Sequence, residues 1–126
     1  MSKILIVDDN RASRDLLRAI LKPLRCELFE ATQGQEALDM IQESRPDLIL
    51  LDIDMPVLDG FSVLRRIRQE PSLAGLPVIA VTAYAMDGDR EKSLSEGFTA
   101  YVTKPVQGAT LREQVKELLN DATSRR

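Results

Sequence analysis

Five short apolar segments recur along the chain, and each one ends at a polar or charged residue. They cover residues 3–7, 26–31, 47–51, 77–81 and 99–103. Several of these segments are continuous rather than alternating, which is typical of strands that are buried on both faces of a sheet. The pattern therefore predicts five strands in the interior of an α/β domain.

Apolar positions at helical spacing lie between these segments. The predicted buried faces are Ala12, Leu16, Ala19, Ile20 and Leu24; Ala37, Leu38 and Ile41; Val63, Leu64 and Ile67; and Leu111, Val115, Leu118 and Leu119. The segment 87–97 is mostly charged and offers only Leu94 as a large apolar contact, helped by Met86 and Phe98 at its edges, so we expect a short, loosely held helix there. Strands alternating with helices predict a parallel sheet that is covered on both faces and has right-handed crossovers.

Polar side chains that can bind metal ions or take part in reactions follow four of the predicted strands. They are Asp8 and Asp9, Asp52, Thr82 and Lys104. Because the carboxyl ends of parallel strands share one edge of a sheet, we expect these side chains to converge in one crevice. Three carboxylates close together repel one another unless a cation joins them. The chain has no histidine and one cysteine, and oxygen ligands favour Mg²⁺ over zinc.

A site of this composition suits phosphoryl chemistry, since Mg²⁺ commonly accompanies phosphoryl groups. Lys104 would provide a positive charge for a phosphoryl oxygen, and Thr82 would provide a hydrogen-bond donor. Asp52 lies where a carboxylate could act as the nucleophile, as in aspartyl-phosphate chemistry.

Length and charge narrow the classes of protein that remain. The 126 residues, 44% of them apolar and 29% charged, describe one globular domain, 1–126, with a core over about 2–120 and a short polar tail, 121–126. The net charge of −3 argues against nucleic acid as a direct partner. No apolar run approaches the roughly 20 residues that span a bilayer, and we expect a cytoplasmic protein without membrane insertion.

Four sequence pieces together resemble the receiver domain of two-component response regulators, in its stand-alone, single-domain form. They are ILIVDDN at 4–10, LILLDIDMPVLDG at 48–60, VIAVTA at 78–83 and YVTKP at 101–105. The resemblance covers roughly residues 2–120. Each piece alone is weak, whereas four pieces in this order and spacing are highly specific.

The resemblance implies a flavodoxin-like, doubly wound α/β fold, with a five-stranded parallel sheet in the order 2-1-3-4-5 and five helices. It implies that Asp52 accepts a phosphoryl group from a phosphohistidine on a sensor histidine kinase or a histidine phosphotransfer protein. By the same resemblance, Asp9 and Asp52 would ligate Mg²⁺ directly, and Asp8 directly or through water. The backbone carbonyl of Asp54 would be a further ligand.

The resemblance also implies a switch rather than an enzyme with a separate substrate. Thr82 and Tyr101 would be the switch pair, and the Lys104–Pro105 peptide bond would be cis. The side chains of Asp54 and Tyr84 would tune the lifetime of the phosphoryl group. We expect a downstream protein partner to bind the face formed by residues 87–119.

Two other functions stay open at this point. The first is a degenerate receiver that serves only as a protein-interaction module. The acidic and switch residues of this chain are all intact, which argues against it. An aspartate-dependent phosphatase would use Asp52 and Asp54, but here that pair follows the third predicted strand rather than the first. The cluster Arg65, Arg66 and Arg68 is interpreted as a solvated helix face, with a docking role as the alternative.

Overall fold

A computed structural model of the chain describes residues 2–53, 60–83 and 89–124, without the side chains of 89, 90 and 121–124. The strands are β1 Lys3–Val7, β2 Glu27–Ala31, β3 Leu48–Asp52, β4 Val78–Thr82 and β5 Ala100–Thr103. The helices are α1 Arg11–Leu21, α2 Gly34–Ser44, α3 Gly60–Gln69, α4 Asp89–Glu96 and α5 Gly108–Ser124, and short 3-10 turns span Lys22–Leu24 and Pro71–Leu73.

The five strands form one parallel sheet in the order β2-β1-β3-β4-β5, which confirms the predicted fold. The strand order reverses between β1 and β3, where Val7 is in register with Leu51. Asp8 follows β1 and Asp52 ends β3, so both lie at the point where open α/β sheets bind their ligands.

Alternation along the strands divides the apolar side chains between two cores. The side covered by α2 and α3 receives Leu5, Val7, Ile49, Leu51, Val78 and Ala80. The side covered by α1 and α5, called the α1/α5 core below, receives Ile4, Ile6, Leu48, Leu50, Ile79 and Val81. Every residue of β3 and β4 is buried, which explains why these segments are continuously apolar in the sequence.

The buried face of α1 differs from the prediction. Leu16 is 49% exposed, whereas Leu17, Ile20 and Leu21 are buried against the sheet. These three residues have the spacing i, i+3 and i+4, so they form a stripe about one residue away from the predicted one. Two apolar stripes overlap on this helix, and contact with the sheet selects the second.

The helix predicted over 87–97 is α4, and its contacts also differ from the prediction. Residues 87 and 88 lie outside the described part of the chain. Leu94 is 40% exposed and therefore does not anchor the helix. Phe98, one of the two expected edge contacts, is buried just after the helix, and its ring meets Phe61 of α3 edge-on at 5.7 Å between centroids. The other expected edge contact, Met86, lies outside the described residues.

Polar contacts to α3 supplement this aromatic anchor. Glu96 pairs with Arg65 at 3.7 Å between Oε2 and Nε, and the ammonium of Lys92 lies 5.2 Å from the centre of the Phe61 ring. Exposed contacts of these kinds contribute about 0–1 kcal/mol each. The helix is therefore short and held by few apolar contacts, as the sequence predicts.

The last helix reaches into the C-terminal end of the chain. α5 continues to Ser124 and so includes residues 121–124 of the polar tail. Residues 121–124 include neither glycine nor proline, so nothing in them interrupts the helix. Among the helices that the structure describes, none combines the length and the hydropathy needed to cross a membrane.

Candidate functional site

The fold brings two carboxylates and one ammonium group to the same side of the sheet edge. Each lies two positions after a residue that packs in or against the α1/α5 core, so the side chains point to that face. The pairs are Ile6 with Asp8, Leu50 with Asp52, and Val102 with Lys104.

Four of the residues predicted from the sequence meet at this edge. Asp8, Asp9 and Asp52 each offer a carboxylate oxygen, and these oxygens lie within 4.8 Å of one another. The Nζ atom of Lys104 lies 3.2 Å from Oδ2 of Asp8 and 3.7 Å from Oδ2 of Asp52. Asp8 is fully buried, Asp52 is buried, and Asp9 is exposed.

This donor set fits a small divalent cation. Three carboxylates and one ammonium leave an excess of two negative charges among these four side chains. Since two of the carboxylates are buried, their repulsion is weakly screened and a divalent cation would offset it. The ligands are all oxygen atoms, and the exposed side near Asp9 leaves room for the water molecules that Mg²⁺ retains.

The predicted switch pair lies on the two strands next to the acidic cluster. Thr82 is buried at the end of β4, and its carbonyl accepts a hydrogen bond of 2.8 Å from the backbone N–H of Lys104. Tyr101 is half-buried, packs against the core under α2 and α3, and is in register with Ala80. Alternation along β4 places Thr82 on the same sheet face as Ala80 and Tyr101.

Asp54, with its carbonyl, and Tyr84 lie outside the described residues. The Lys104–Pro105 peptide bond is cis, as the resemblance implies.

Asn10 and Ser13 are neighbours of the site that the sequence analysis missed. The backbone N–H of Asn10 donates to Oδ1 of Asp8 at 2.9 Å, and Oδ1 of Asn10 accepts from the N–H of Ser13 at 2.9 Å. Ser13 Oγ lies 3.5 Å from Nζ of Lys104. An asparagine just before a helix is a recognised N-cap signal, so Asn10 could have been identified from the sequence.

Gly60 is needed where the chain returns to the site at the start of α3. A Cβ atom at this position would lie 2.8 Å from the carbonyl oxygen of Asp52 and 2.7 Å from Cα of Ile53. The N–H of Gly60 donates to the carbonyl of Ile53 at 3.1 Å. Close backbone approach beside Asp52 therefore requires glycine here.

Glu30 of β2 is an ionised carboxylate beside the site that the sequence analysis also missed. Its Oε1 accepts from Nε of Arg14 at 3.0 Å, and its Oε2 accepts from Nε of Arg18. Burial raises the pKa of Glu30, but the hydrogen bonds and charges of Arg18 and Arg14 outweigh burial and lower this pKa below its ordinary value.

We expect Glu30→Gln to destabilise the protein near neutral pH and to have little effect in acid. Because the pKa of Glu30 is lowered by folding, its stabilisation is present above the ordinary value of 4.5 and is lost as the pH falls through the folded value. Urea unfolding at about pH 7 and at about pH 2.5, well below the ordinary value, measures this difference. Exposed Glu43 provides the control, since Glu43→Gln should change stability little at either pH. A destabilisation of Glu30→Gln that is the same at both pH values would contradict the assignment.

Known proteins are similar to this chain in both sequence and fold. The family model of the response regulator receiver domain matches residues 4–116. The polar-differentiation response regulator DivK of Brucella anthropi is 40% identical over 119 residues, covering 94% of this chain and 97% of that protein. DivK of Brucella ovis is 39% identical over 119 residues, with the same coverage.

Solved structures agree with these sequence matches. A CheY-like response regulator receiver domain protein from Methanospirillum hungatei is 32% identical, with a TM-score of 0.89 and coverage of 100% of this chain and 99% of that one. The Vibrio cholerae chemotaxis protein CheY4 is 28% identical, with a TM-score of 0.86 and coverage of 94% and 98%. The chain therefore belongs to the response regulator receiver domain family of two-component systems.

Proposed function

We propose that the chain is a phosphoacceptor switch in which Asp52 receives a phosphoryl group from a phosphohistidine of a sensor histidine kinase or a histidine phosphotransfer protein. The observation that carries this proposal is the cluster of three carboxylates within 4.8 Å of one another, with Lys104 bridging two of them. A buried acceptor carboxylate, a balancing ammonium and two further acidic ligands are the groups that this transfer needs.

The transfer is a displacement at phosphorus. An oxygen of Asp52 forms the new P–O bond while the P–N bond to the donor histidine breaks, and the electron pair of that bond returns to the imidazole ring. Bound Mg²⁺ would neutralise charge on the phosphoryl oxygens. Asp8 and Asp9 would hold the ion with Asp52, and the ammonium of Lys104 would bind a phosphoryl oxygen.

Phosphorylation by a small donor tests the proposal without the partner kinase. We expect the protein to form a covalent adduct with acetyl phosphate in the presence of Mg²⁺ and to form none when the metal is chelated.

Asp9→Asn should weaken Mg²⁺ binding more than about tenfold, because it removes a ligand of the ion. Removing a residue that only supports a metal ligand typically costs about tenfold or more in affinity.

Lys104→Arg is the matched control, because it keeps a positive charge and should retain Mg²⁺ binding while disturbing the transfer, which a planar guanidinium serves poorly. Adduct formation at the same rate with and without Mg²⁺, or equal Mg²⁺ affinity of wild type and Asp9→Asn, would contradict the proposed site.

We further propose that a downstream partner reads the described part of the face 87–119, formed by α4, β5 and α5. Support comes from α4, where Leu94 is 40% exposed and the contacts to α3 are mostly polar. A helix with few apolar anchors can shift at little cost in packing. A phosphoryl group adds about −1.5 to −2 charges. The Thr82 hydroxyl would move towards a phosphoryl oxygen, and the Tyr101 ring would fill the space that Thr82 leaves.

Amide hydrogen exchange with and without beryllofluoride, a mimic of the phosphoryl group, measures this response. We expect exchange to change across 82–104 as well as around the acidic cluster. Asp52→Asn, treated in the same way, is the control and should show no change. Changes confined to the neighbourhood of Asp8, Asp9 and Asp52 would contradict the proposed output face.

A further inference from the structure

Arg14 of α1 links the edge strand β2 to the acidic cluster. Its Nη1 donates a hydrogen bond of 2.9 Å to the backbone carbonyl of Asp8, and its Nε donates one of 3.0 Å to Oε1 of Glu30. Glu30 is in register with Ile6 of β1, whose side chain lies in the α1/α5 core, so Glu30 lies on the same side of the sheet as Asp8.

The carbonyl that Arg14 binds belongs to the peptide group between Asp8 and Asp9, two residues of the acidic cluster. Asp8 lies one residue beyond the end of β1, and its own N–H donates to the carbonyl of Ala31 at 3.1 Å. Arg14 therefore holds the far side of Asp8, where the regular strand has ended. The plane of this peptide governs where the two carboxylates point relative to each other.

Arg14 is itself held firmly. Its side chain is only 14% exposed, and the carboxylate of Glu30 keeps its guanidinium in place. Arg18 binds the other oxygen of Glu30 and the carbonyl of Leu28, and thus secures the carboxylate from the opposite side. A planar guanidinium can reach Glu30 and Asp8 at once, whereas a lysine ammonium is a single point donor on a flexible stem.

We infer that Arg14 is a positioning residue for the metal site, fixing the Asp8–Asp9 peptide so that both carboxylates converge with Asp52. This inference rests on the proposed function. In the protein without Arg14, the peptide would sample other orientations, and Mg²⁺ binding would have to restore the productive one. The positive charge of Arg14 has the opposite effect, since it repels a cation, so a variant that keeps the charge separates the two contributions.

Isothermal titration with Mg²⁺ tests the inference with Arg14→Lys, Arg14→Met and Arg18→Met. We expect Arg14→Lys to bind Mg²⁺ about tenfold more weakly than wild type, because it keeps the charge and loses the fork. Arg18→Met is the matched control: it also removes a partner of Glu30 but does not bond to Asp8, so its affinity should stay within about twofold. Arg14→Lys and Arg14→Met both within about twofold of wild type would overturn the inference.

A second readout needs no metal and separates positioning from general stability. The ¹⁵N order parameter of the Asp9 amide reports the motion of the same peptide whose carbonyl Arg14 binds. We expect this order parameter to fall in Arg14→Lys and Arg14→Met and to stay at the wild-type value in Arg18→Met. The variants are compared under conditions in which their free energies of unfolding are equal. An unchanged order parameter in all three variants would overturn the inference. Wild-type protein that does not bind Mg²⁺ would instead contradict the proposed function, and the order parameter would still decide the role of Arg14.

Discussion

Asp52→Asn should abolish covalent phosphorylation by acetyl phosphate in the presence of Mg²⁺. The substitution keeps the size of the side chain but replaces the attacking carboxylate oxygen by a neutral amide, which is a poor nucleophile. Asp52 is buried at the end of β3, and Nζ of Lys104 lies 3.7 Å from its Oδ2. Intact-mass spectrometry after incubation with the donor measures the loss.

Asp15→Asn is the matched control for this result. Like Asp52, Asp15 is an aspartate, but it lies in α1, away from the acidic cluster. Its side chain is 65% exposed, and its Oδ2 lies 3.9 Å from Nε of Arg11. The control should form the adduct at the wild-type rate. An adduct of wild-type yield on Asp52→Asn would show that another residue is the acceptor.

Arg68→Ala should lower the free energy of unfolding by about 3–4 kcal/mol, because it leaves several backbone carbonyls without their charged donor. Arg68 donates to the carbonyl of Gly97 from Nε at 3.1 Å and from Nη2 at 2.9 Å. Its Nη1 donates to the carbonyls of Leu73, Ala74 and Leu76, the last at 2.7 Å. Burial lowers the pKa of this guanidinium, which nevertheless stays charged.

Urea unfolding of three variants checks this prediction. Arg66→Ala is the control, because Arg66 is exposed on the same helix and its loss should cost at most about 0.5 kcal/mol. Arg68→Lys should recover only part of the loss, since a point charge cannot reach the carbonyl of Gly97 and the carbonyls after α3 at the same time. Equal stability of Arg68→Ala and Arg66→Ala would refute the bridging role of Arg68.

The sequence alone predicts most of the features that depend on one segment at a time. The apolar runs of β3 and β4 predict strands buried on both faces, and the structure buries every residue in them. The polar residues at the strand ends predict a shared edge, because parallel strands carry their carboxyl ends there. The four sequence pieces then supply the strand order, which periodicity does not determine.

Features that depend on how segments pack against one another cannot be predicted from the pattern of any one segment. The stripe containing Leu16 and the stripe containing Leu17 are both apolar, and only contact with the sheet decides which is buried. The interpretation of Arg65, Arg66 and Arg68 as a solvated helix face is wrong for Arg68, which binds partly buried backbone carbonyls. Its acceptors come from the turn after α3 and from Gly97, 29 residues away, so no local pattern reveals them.

Arg14 illustrates the same limit at the site itself. Its partners are the carbonyl of Asp8, six residues before it, and the carboxylate of Glu30, 16 residues after it. Neither separation follows the helical spacing that sequence patterns detect. Residues that hold the ligands of a site are thus found only once the strand and the helix are placed together.

Chemical mapping of the adduct tests the central claim most directly. Borohydride reduces an acyl phosphate to an alcohol, so a phosphorylated aspartate becomes homoserine and can be located by peptide mass spectrometry. After treatment with acetyl phosphate and Mg²⁺, the account predicts homoserine at position 52 and unmodified aspartate at positions 8 and 9. Homoserine at position 8 or 9, or a modified residue outside this cluster with Asp52 intact, would contradict it.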